Sequence, residues 1–216
     1  MITLTLRRYY IDDFLNAYKP LMKGRVLDIG GKKDNKRGFF RPPLKSVESW
    51  EYLNIDMATS PDYACSVYKI PFAENTFDTI IFCEILEHLN NPEAALLEIF
   101  RILKPSGKVI MTVPFLYALH ADPEDYQRWT DEKIKSELLK AGFAHIEIKP
   151  MGGIFAVIFD LIHFAIKRSL DTTKFLNRAI YRTYHVFGPV FKYLDRESLG
   201  IRADITTGYF SVAFKK

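Results

Sequence analysis

Glu84, Glu87 and His88 stand at i, i+3 and i+4, so in a helix they would share one face. Joined by His120, such a set could hold a divalent metal ion or move protons. Imidazole titrates near neutral pH, which makes His88 the first candidate for a general base, with His120 competing for the role. The plain alternative for His88 is packing at a helix start. A second group of residues suits a nucleotide-like ligand. Gly30-Gly31 closes the short run Arg25-Val26-Leu27-Asp28-Ile29, and only glycine lets the backbone approach a bound group so closely. Asp56 ends the run 51–55, where an acidic side chain accepts hydrogen bonds from ribose hydroxyls. Residues 115–130 carry His120, Asp122, Tyr126 and Arg128, side chains suited to a polar, hydroxyl-rich molecule. Trp129, in the same stretch, reads as an anchor into the core.

These residues need elements to position them. Apolar runs over 25–29, 51–55, 63–67, 77–83, 108–113, 144–149 and 207–214 predict seven strands. Helical spacing is found over 11–22, 92–103, 130–140, 154–169 and 173–187, with Pro92 suited to a first turn and Thr130 to a cap. Strands alternating with helices imply a Rossmann-like, doubly wound, mostly parallel sheet. In such sheets ligands bind beyond the carboxyl ends of the strands. Asp28, Gly30, Asp56, Glu84 and the loop after Val113 all fall at such ends, so they should converge. Residues 32–47, rich in Lys, Arg, Gly and Pro, show no clean period and read as loop.

The chain has 216 residues, 48% hydrophobic and 26% charged, with a formal charge of +4. That composition suits one globular domain over 1–216. No dense Lys/Arg block is interleaved with aromatics, so nucleic acid is not expected as a partner. Cys65 and Cys83 sit in apolar stretches, as small buried thiols do in a reducing compartment. The N-terminal residues lack a signal-peptide core. The most apolar run, 152–166, is interrupted by Asp160 and His163 and falls short of the ~20 residues a membrane span needs. The protein is therefore read as cytoplasmic.

Several motifs carry a family resemblance. Val26-Leu27-Asp28-Ile29-Gly30-Gly31 and Leu53-Asn54-Ile55-Asp56 resemble the first two cofactor motifs of class I S-adenosylmethionine-dependent methyltransferases. Ile70-Pro71-Phe72, Asn75-Thr76-Phe77-Asp78, Glu84-Ile85-Leu86-Glu87-His88-Leu89 and Leu103-Lys104-Pro105-Ser106-Gly107-Lys108 are similar, in order and spacing, to the type 11 group. The resemblance covers about 24–143, with 207–214 resembling the last strand. It implies S-adenosylmethionine as cofactor, with Asp28, Gly30 and Gly31 at its methionine end. Asp56 would hold the ribose, Met57 would pack near the adenine, Ser66 and Val67 would follow along the ring, and Glu84 would sit beside the amino-acid portion. Two departures stand out: the usual Gly-x-Gly-x-Gly is Gly30-Gly31-Lys32-Lys33-Asp34, and Ser66 replaces a common Asp. Metal-independent members carry the same Glu84, Glu87 and His88 letters, so no metal is assigned.

The acceptor side is expected at Asp122, Tyr126 and Arg128, in a stretch that resembles bacterial methyltransferases of cell-surface polysaccharide genes. The expected reaction is O-methylation of a sugar, glycan or lipid-linked saccharide. A small-metabolite acceptor and a non-catalytic binding protein are the alternatives. Nicotinamide chemistry is set aside because Gly-x-Gly-x-x-Gly is absent. Residues 152–199 form a helical insertion before the last strand, read as a lid, a homodimer interface or a segment resting on a membrane through 152–187. Its second helix sets Lys174, Arg178 and Arg182 on one stripe.

Overall fold

Six strands form one sheet: β1 (Arg25–Ile29), β2 (Ser49–Leu53), β3 (Phe77–Cys83), β4 (Leu103–Pro114), β5 (Phe143–Pro150) and β6 (Gly208–Lys215). The computed structural model describes residues 4–33, 38–169, 175–198 and 204–216, within which the side chains of 175–176, 178, 181–182, 185 and 196–198 are not described. The strand order is β2-β1-β3-β4-β6-β5. β1 pairs in parallel with β2 and β3, and β3 in parallel with β4, while β6 runs antiparallel to both β4 and β5. The sheet is the expected Rossmann-like, mostly parallel one.

The central strands are buried on both faces, so they read as continuous apolar runs rather than alternating ones. Leu27, Ile80, Phe82, Val109 and Met111 pack beneath α2 (Pro92–Ile102) and α3 (Asp131–Lys140). Val26, Ile81, Ile110 and Phe210 pack on the opposite side, with α1 (Leu6–Ala17) and α4 (Ile154–Ser169). Helix ends follow local chemistry. Asn91, Thr130 and Thr5 each accept a backbone N–H of the first turn through the side chain, and Pro92 occupies a first-turn position.

Three expectations are corrected. The sheet has six strands among the described residues rather than seven, because the segment expected at 63–67 is reduced to a single parallel bridge, Leu53 to Tyr63. The Asp62 carboxylate takes the Tyr52 amide at 2.8 Å, using an edge donor of β2 that a further strand would have needed. The first helix starts five residues earlier than its apolar stripe indicated, at Leu6 instead of 11, behind the Thr5 cap. The insertion holds three helices: α4, α5 (Phe175–Val186) and α6 (Gly188–Ser198). Gly188 and Pro189 open α6. Lys174 lies outside the described residues, as do the Arg178 and Arg182 side chains, so the basic stripe expected there is not described.

Asp195 of α6, fully buried, ties the insertion to the sheet domain. Its carboxylate accepts the Tyr10 hydroxyl at 2.6 Å and the amides of Gly153 and Ala156 at 2.8 and 3.1 Å, the latter two at the start of α4. Removing such an acceptor leaves buried donors unsatisfied, which costs about 1–3 kcal/mol. Asp195→Ala should therefore lower the thermal midpoint by roughly 2–4 °C for each kcal/mol lost in a chain of this size. Lys45→Ala, at an exposed position, should leave it unchanged.

Candidate active site

The carboxyl ends of β1, β2, β3 and β4 bring the expected residues to one rim of the sheet. Gly30, at φ +78°, turns the chain away from β1, and its amide donates to Leu53 O at 2.7 Å. A Cβ on Gly30 would fall 2.1 Å from Ile85 Cδ1, and one on Gly31 would fall 2.5 Å from the Asp28 carboxyl carbon. Ile85 and Asp28 thus pack against both glycines and leave no room for a side chain, which keeps the turn tight at the strand end where the methionine end of S-adenosylmethionine is expected. Asn54 fastens this turn to the end of β2: its Nδ2 donates to Gly30 O and Gly31 O at 3.3 and 3.4 Å, and its Oδ1 accepts the Asp56 amide at 2.9 Å. Asp56 and Met57 are exposed beyond it, and Asp56 Oδ1 accepts the Ala58 amide at 2.9 Å. Val67 is buried in the core, and the Ser66 hydroxyl accepts the Tyr68 amide at 3.3 Å. Asp34, in the departing glycine motif, lies outside the described residues.

Glu84 and Glu87 do not share a face. Glu84 sits at φ +57°, so the chain changes direction there, and residues Leu86–His88 form a 3-10 turn rather than an α-helix. The Glu84 carboxylate points to Arg7, receiving Nη2 at 2.5 Å and Nε at 3.1 Å, and to the Thr112 hydroxyl at 2.9 Å. Burial alone would raise its pKa, but the Arg7 guanidinium outweighs burial and holds it below the usual carboxylate range.

Glu87 points the other way. It is 1% exposed and neither carboxylate oxygen has a hydrogen-bond partner. Its Oε1 lies 3.6 Å from His120 Nε2 and 3.8 Å from His88 Nε2. Burial pushes the Glu87 pKa up, and the carboxylate in turn raises that of His120. The two rings meet edge to face, with centroids 5.2 Å apart. His88 Nδ1 lies 2.6 Å from Glu124 O and His120 Nδ1 lies 3.1 Å from Ala118 O. A carbonyl oxygen only accepts, so each Nδ1 carries the hydrogen, and in the neutral rings both Nε2 lone pairs face Glu87.

The loop after β4 closes this rim. Gln127 Nε2 donates to Leu86 O and Leu89 O at 3.1 and 2.9 Å, its Oε1 accepts Trp129 Nε1 at 2.8 Å, and Trp129 is buried as expected. Asp122 and Tyr126 are exposed. Arg128 is engaged within the loop: its guanidinium forks onto Asp125 at 2.5 and 2.8 Å, and Asp125 accepts the His120 amide at 2.9 Å. Arg128 therefore holds the frame of His120. Arg7, Asn54, Gln127 and Asp125 were not anticipated from sequence. The i, i+3 spacing of Asp125 and Arg128 was a usable signal, whereas nothing local pointed to Arg7 or Gln127.

An open, mostly parallel sheet with a glycine turn after β1, an acidic residue after β2 and an antiparallel last strand between β4 and β5 is a Rossmann-like arrangement. Residues 48–111 match the family model of the type 11 group, described as a methyltransferase domain. The chain is 40% identical over 62 residues to an uncharacterized methyltransferase of Schizosaccharomyces pombe, covering 29% of this chain and 22% of that protein. It is 31% identical over 101 residues to the ubiquinone/menaquinone biosynthesis C-methyltransferase UbiE of Paraburkholderia phymatum, covering 40% of this chain and 42% of that one. It thus spans under half the length of these relatives. Among solved structures, phosphoethanolamine N-methyltransferase 2 of Haemonchus contortus, in complex with S-adenosyl-L-methionine, superposes with a TM-score of 0.57 at 20% identity, over 96% of this chain and 52% of that one. Over residues 48–111 the chain is thus similar to the type 11 methyltransferase domain, its fold is that of class I S-adenosylmethionine-dependent methyltransferases, and S-adenosylmethionine is the cofactor that this likeness implies.

Desolvation at the strand ends pushes the Asp28 pKa up to about 7, against the pull of Trp50 and Arg8. The methionine end of the cofactor is cationic, so it should favour ionised Asp28. Below about 7 the carboxyl is protonated and that attraction is lost. Calorimetric affinity for S-adenosylmethionine should weaken as pH falls through about 7, by at most about tenfold per unit, and Asp28→Asn should flatten the profile.

Proposed function

We propose that this protein transfers a methyl group from S-adenosylmethionine to a hydroxyl oxygen of a sugar or glycan, carried in some cases on a lipid. The observation that carries this reading is the Glu87–His88–His120 cluster, with two imidazole Nε2 atoms facing a buried carboxylate beside the loop that bears Asp122 and Tyr126. When bound, S-adenosylmethionine supplies a sulfonium-activated methyl group. Asp28, Gly30 and Gly31 would hold its methionine end, Glu84 its ammonium, Asp56 its ribose, with Met57, Ser66 and Val67 along the adenine. In the transfer an oxygen–carbon bond forms, the carbon–sulfur bond breaks with its electron pair going to sulfur, and the hydroxyl proton leaves. His88 and His120 are the groups placed to draw that proton off. Asp122 and Tyr126 would contact the acceptor, and Arg128 would act through Asp125.

The outer face of α4 favours an acceptor with a greasy portion. Ile154, Ile158, Leu161 and Ile162 are exposed, while the helix's own polar residues, Asp160 and His163, are buried. Exposed Lys167 and Arg168 follow at its end, a combination suited to an anionic lipid surface. No helix among the described residues is long and apolar enough to cross a membrane. We place the protein in the cytoplasm, resting on lipid through this face. A quinone-like small molecule is the second reading, favoured by the relatives named for ubiquinone and menaquinone biosynthesis; the same face would suit it.

Binding of S-adenosylmethionine should weaken roughly 10- to 150-fold in Asp56→Ala, the loss of a charge-assisted hydrogen bond worth about 1.5–3 kcal/mol. Radiolabelled methyl transfer should appear on hydroxyl-bearing saccharides or their lipid-linked forms. Transfer to quinones alone would select the second reading, and cofactor binding without any transfer would indicate a non-catalytic protein. Leu161→Glu should release the protein from anionic vesicles in co-sedimentation. A wild-type protein that ignores vesicles but forms dimers dispersed by Leu161→Glu would make the face a homodimer interface.

A further inference from the structure

We propose that Glu87, His88 and His120 form a binding site for one divalent transition-metal ion. Three features of the cluster point the same way. The first is the Glu87 carboxylate itself, fully enclosed and without a hydrogen-bond donor on either oxygen. A buried carboxylate in that condition is unfavourable unless a cation or proton compensates it. The second is the orientation of the imidazoles. Each ring spends its Nδ1 hydrogen on a main-chain carbonyl, at Glu124 and Ala118, and so turns an Nε2 lone pair toward the carboxylate. A ring hydrogen bonded to a carbonyl, with the other nitrogen directed inward, is how ligating histidines are held.

The third feature is spacing. The Nε2–Oε1 separations of 3.6 and 3.8 Å are too long for hydrogen bonds. Two ligands each about 2.1 Å from a tetrahedral ion stand about 3.4 Å apart; both Nε2–Oε1 separations are within a few tenths of an ångström of that, and the three ligand atoms all lie within 4.8 Å of one another. One carboxylate and two imidazoles suit Zn²⁺ or Co²⁺ and their neighbours better than Mg²⁺, which prefers oxygen throughout. The ligand set also differs from the one the i, i+3, i+4 spacing suggested, since Glu84 is taken by Arg7.

Three protein ligands leave room for an oxygen of the acceptor. In the reading proposed above, on which this consequence rests, a hydroxyl bound to the ion would lose its proton more readily than one in water. Imidazole base and imidazole ligand are exclusive uses of the same lone pairs, and binding decides between them. Chelator-stripped, full-length protein is titrated with Co²⁺, followed by visible absorption and by calorimetry, with no S-adenosylmethionine present. One equivalent should bind, with affinity reduced at least tenfold in Glu87→Gln and in His120→Ala. Glu87→Gln preserves shape, His120 lies on a half-exposed loop, and thermal melts confirm that both fold. Absence of uptake by the wild type, or uptake unchanged in both variants, would overturn the site. Because the cofactor is left out, failure of the methyl-transfer reading leaves this result unaffected.

Discussion

The site is organised around a buried guanidinium. Arg7 is 1% exposed, lies in the N-terminal helix, and reaches the carboxyl rim of the sheet. Its Nη1 donates to Thr207 O at 2.9 Å, its other nitrogens grip Glu84, and its guanidinium carbon stands 5.3 Å from the centre of the Tyr117 ring. One charged group therefore joins α1, the end of β3, the entry to β6 and the loop after β4. An enclosed charge persists only when paired and hydrogen-bonded, and breaking such a pair costs about 3–5 kcal/mol. The helix that brings Arg7 in is set by Asp160, whose carboxylate accepts the amides of Leu6 and Arg7 at 2.7 and 3.0 Å. The insertion and the N-terminus are thus tied together at the point where the cofactor's amino-acid end is expected.

Around this pair the rim divides into two sides. On the β1 and β2 side, the glycine turn and the Asn54 bridge lead to the exposed Asp56 carboxylate, where the cofactor's nucleoside is expected. On the β4 side, Gln127 and Asp125 fasten a polar loop over the turn that carries Glu87 and His88. The loop's rigidity is built from side chain to main-chain bonds, which hold a histidine in place without depending on an extended apolar contact. Beyond both lies the aliphatic face of α4, whose Asp160 is turned inward to hold α1. That inversion explains why the outer face of the helix is apolar: Asp160 cannot cap α1 and also face water.

What could be read from the sequence was what is local or periodic. The apolar runs predicted the central strands because those strands are buried on both faces, and the strand-end rule gathered Asp28, Gly30, Asp56 and Glu84 onto one rim before any coordinates. Tyr63 was misread because its run is apolar enough for a strand, but Asp62 supplies from its side chain the acceptor that a strand's main chain would have supplied. The helix opened by Gly188-Pro189 lay beyond the expected helical segments, since proline suits a first turn as well as it ends a helix. Arg7 and Gln127 carry no local signature at all. Their partners lie 77 and 41 residues away, and such pairs are specified by the finished fold.

The sharpest consequence of the fold concerns two carboxylates only three residues apart. Helical periodicity would place Glu84 and Glu87 together and let each raise the other's pKa. The left-handed backbone at Glu84 sends the two side chains to opposite sides of the rim, so that burial is the first cause of the rise at Glu87 and the Glu84 charge a lesser one. Glu84 finds a guanidinium and a hydroxyl, and is held ionised. Glu87 is sealed in with no hydrogen-bond donor, facing the Nε2 edges of two histidines, and burial drives its pKa upward. Carboxylates whose surroundings push them apart in this way are suited to different tasks. The ionised one is held by Arg7 and Thr112 and fixes the frame of the rim. The other remains an uncompensated acceptor, and its chemistry depends on what arrives between it and the two imidazoles.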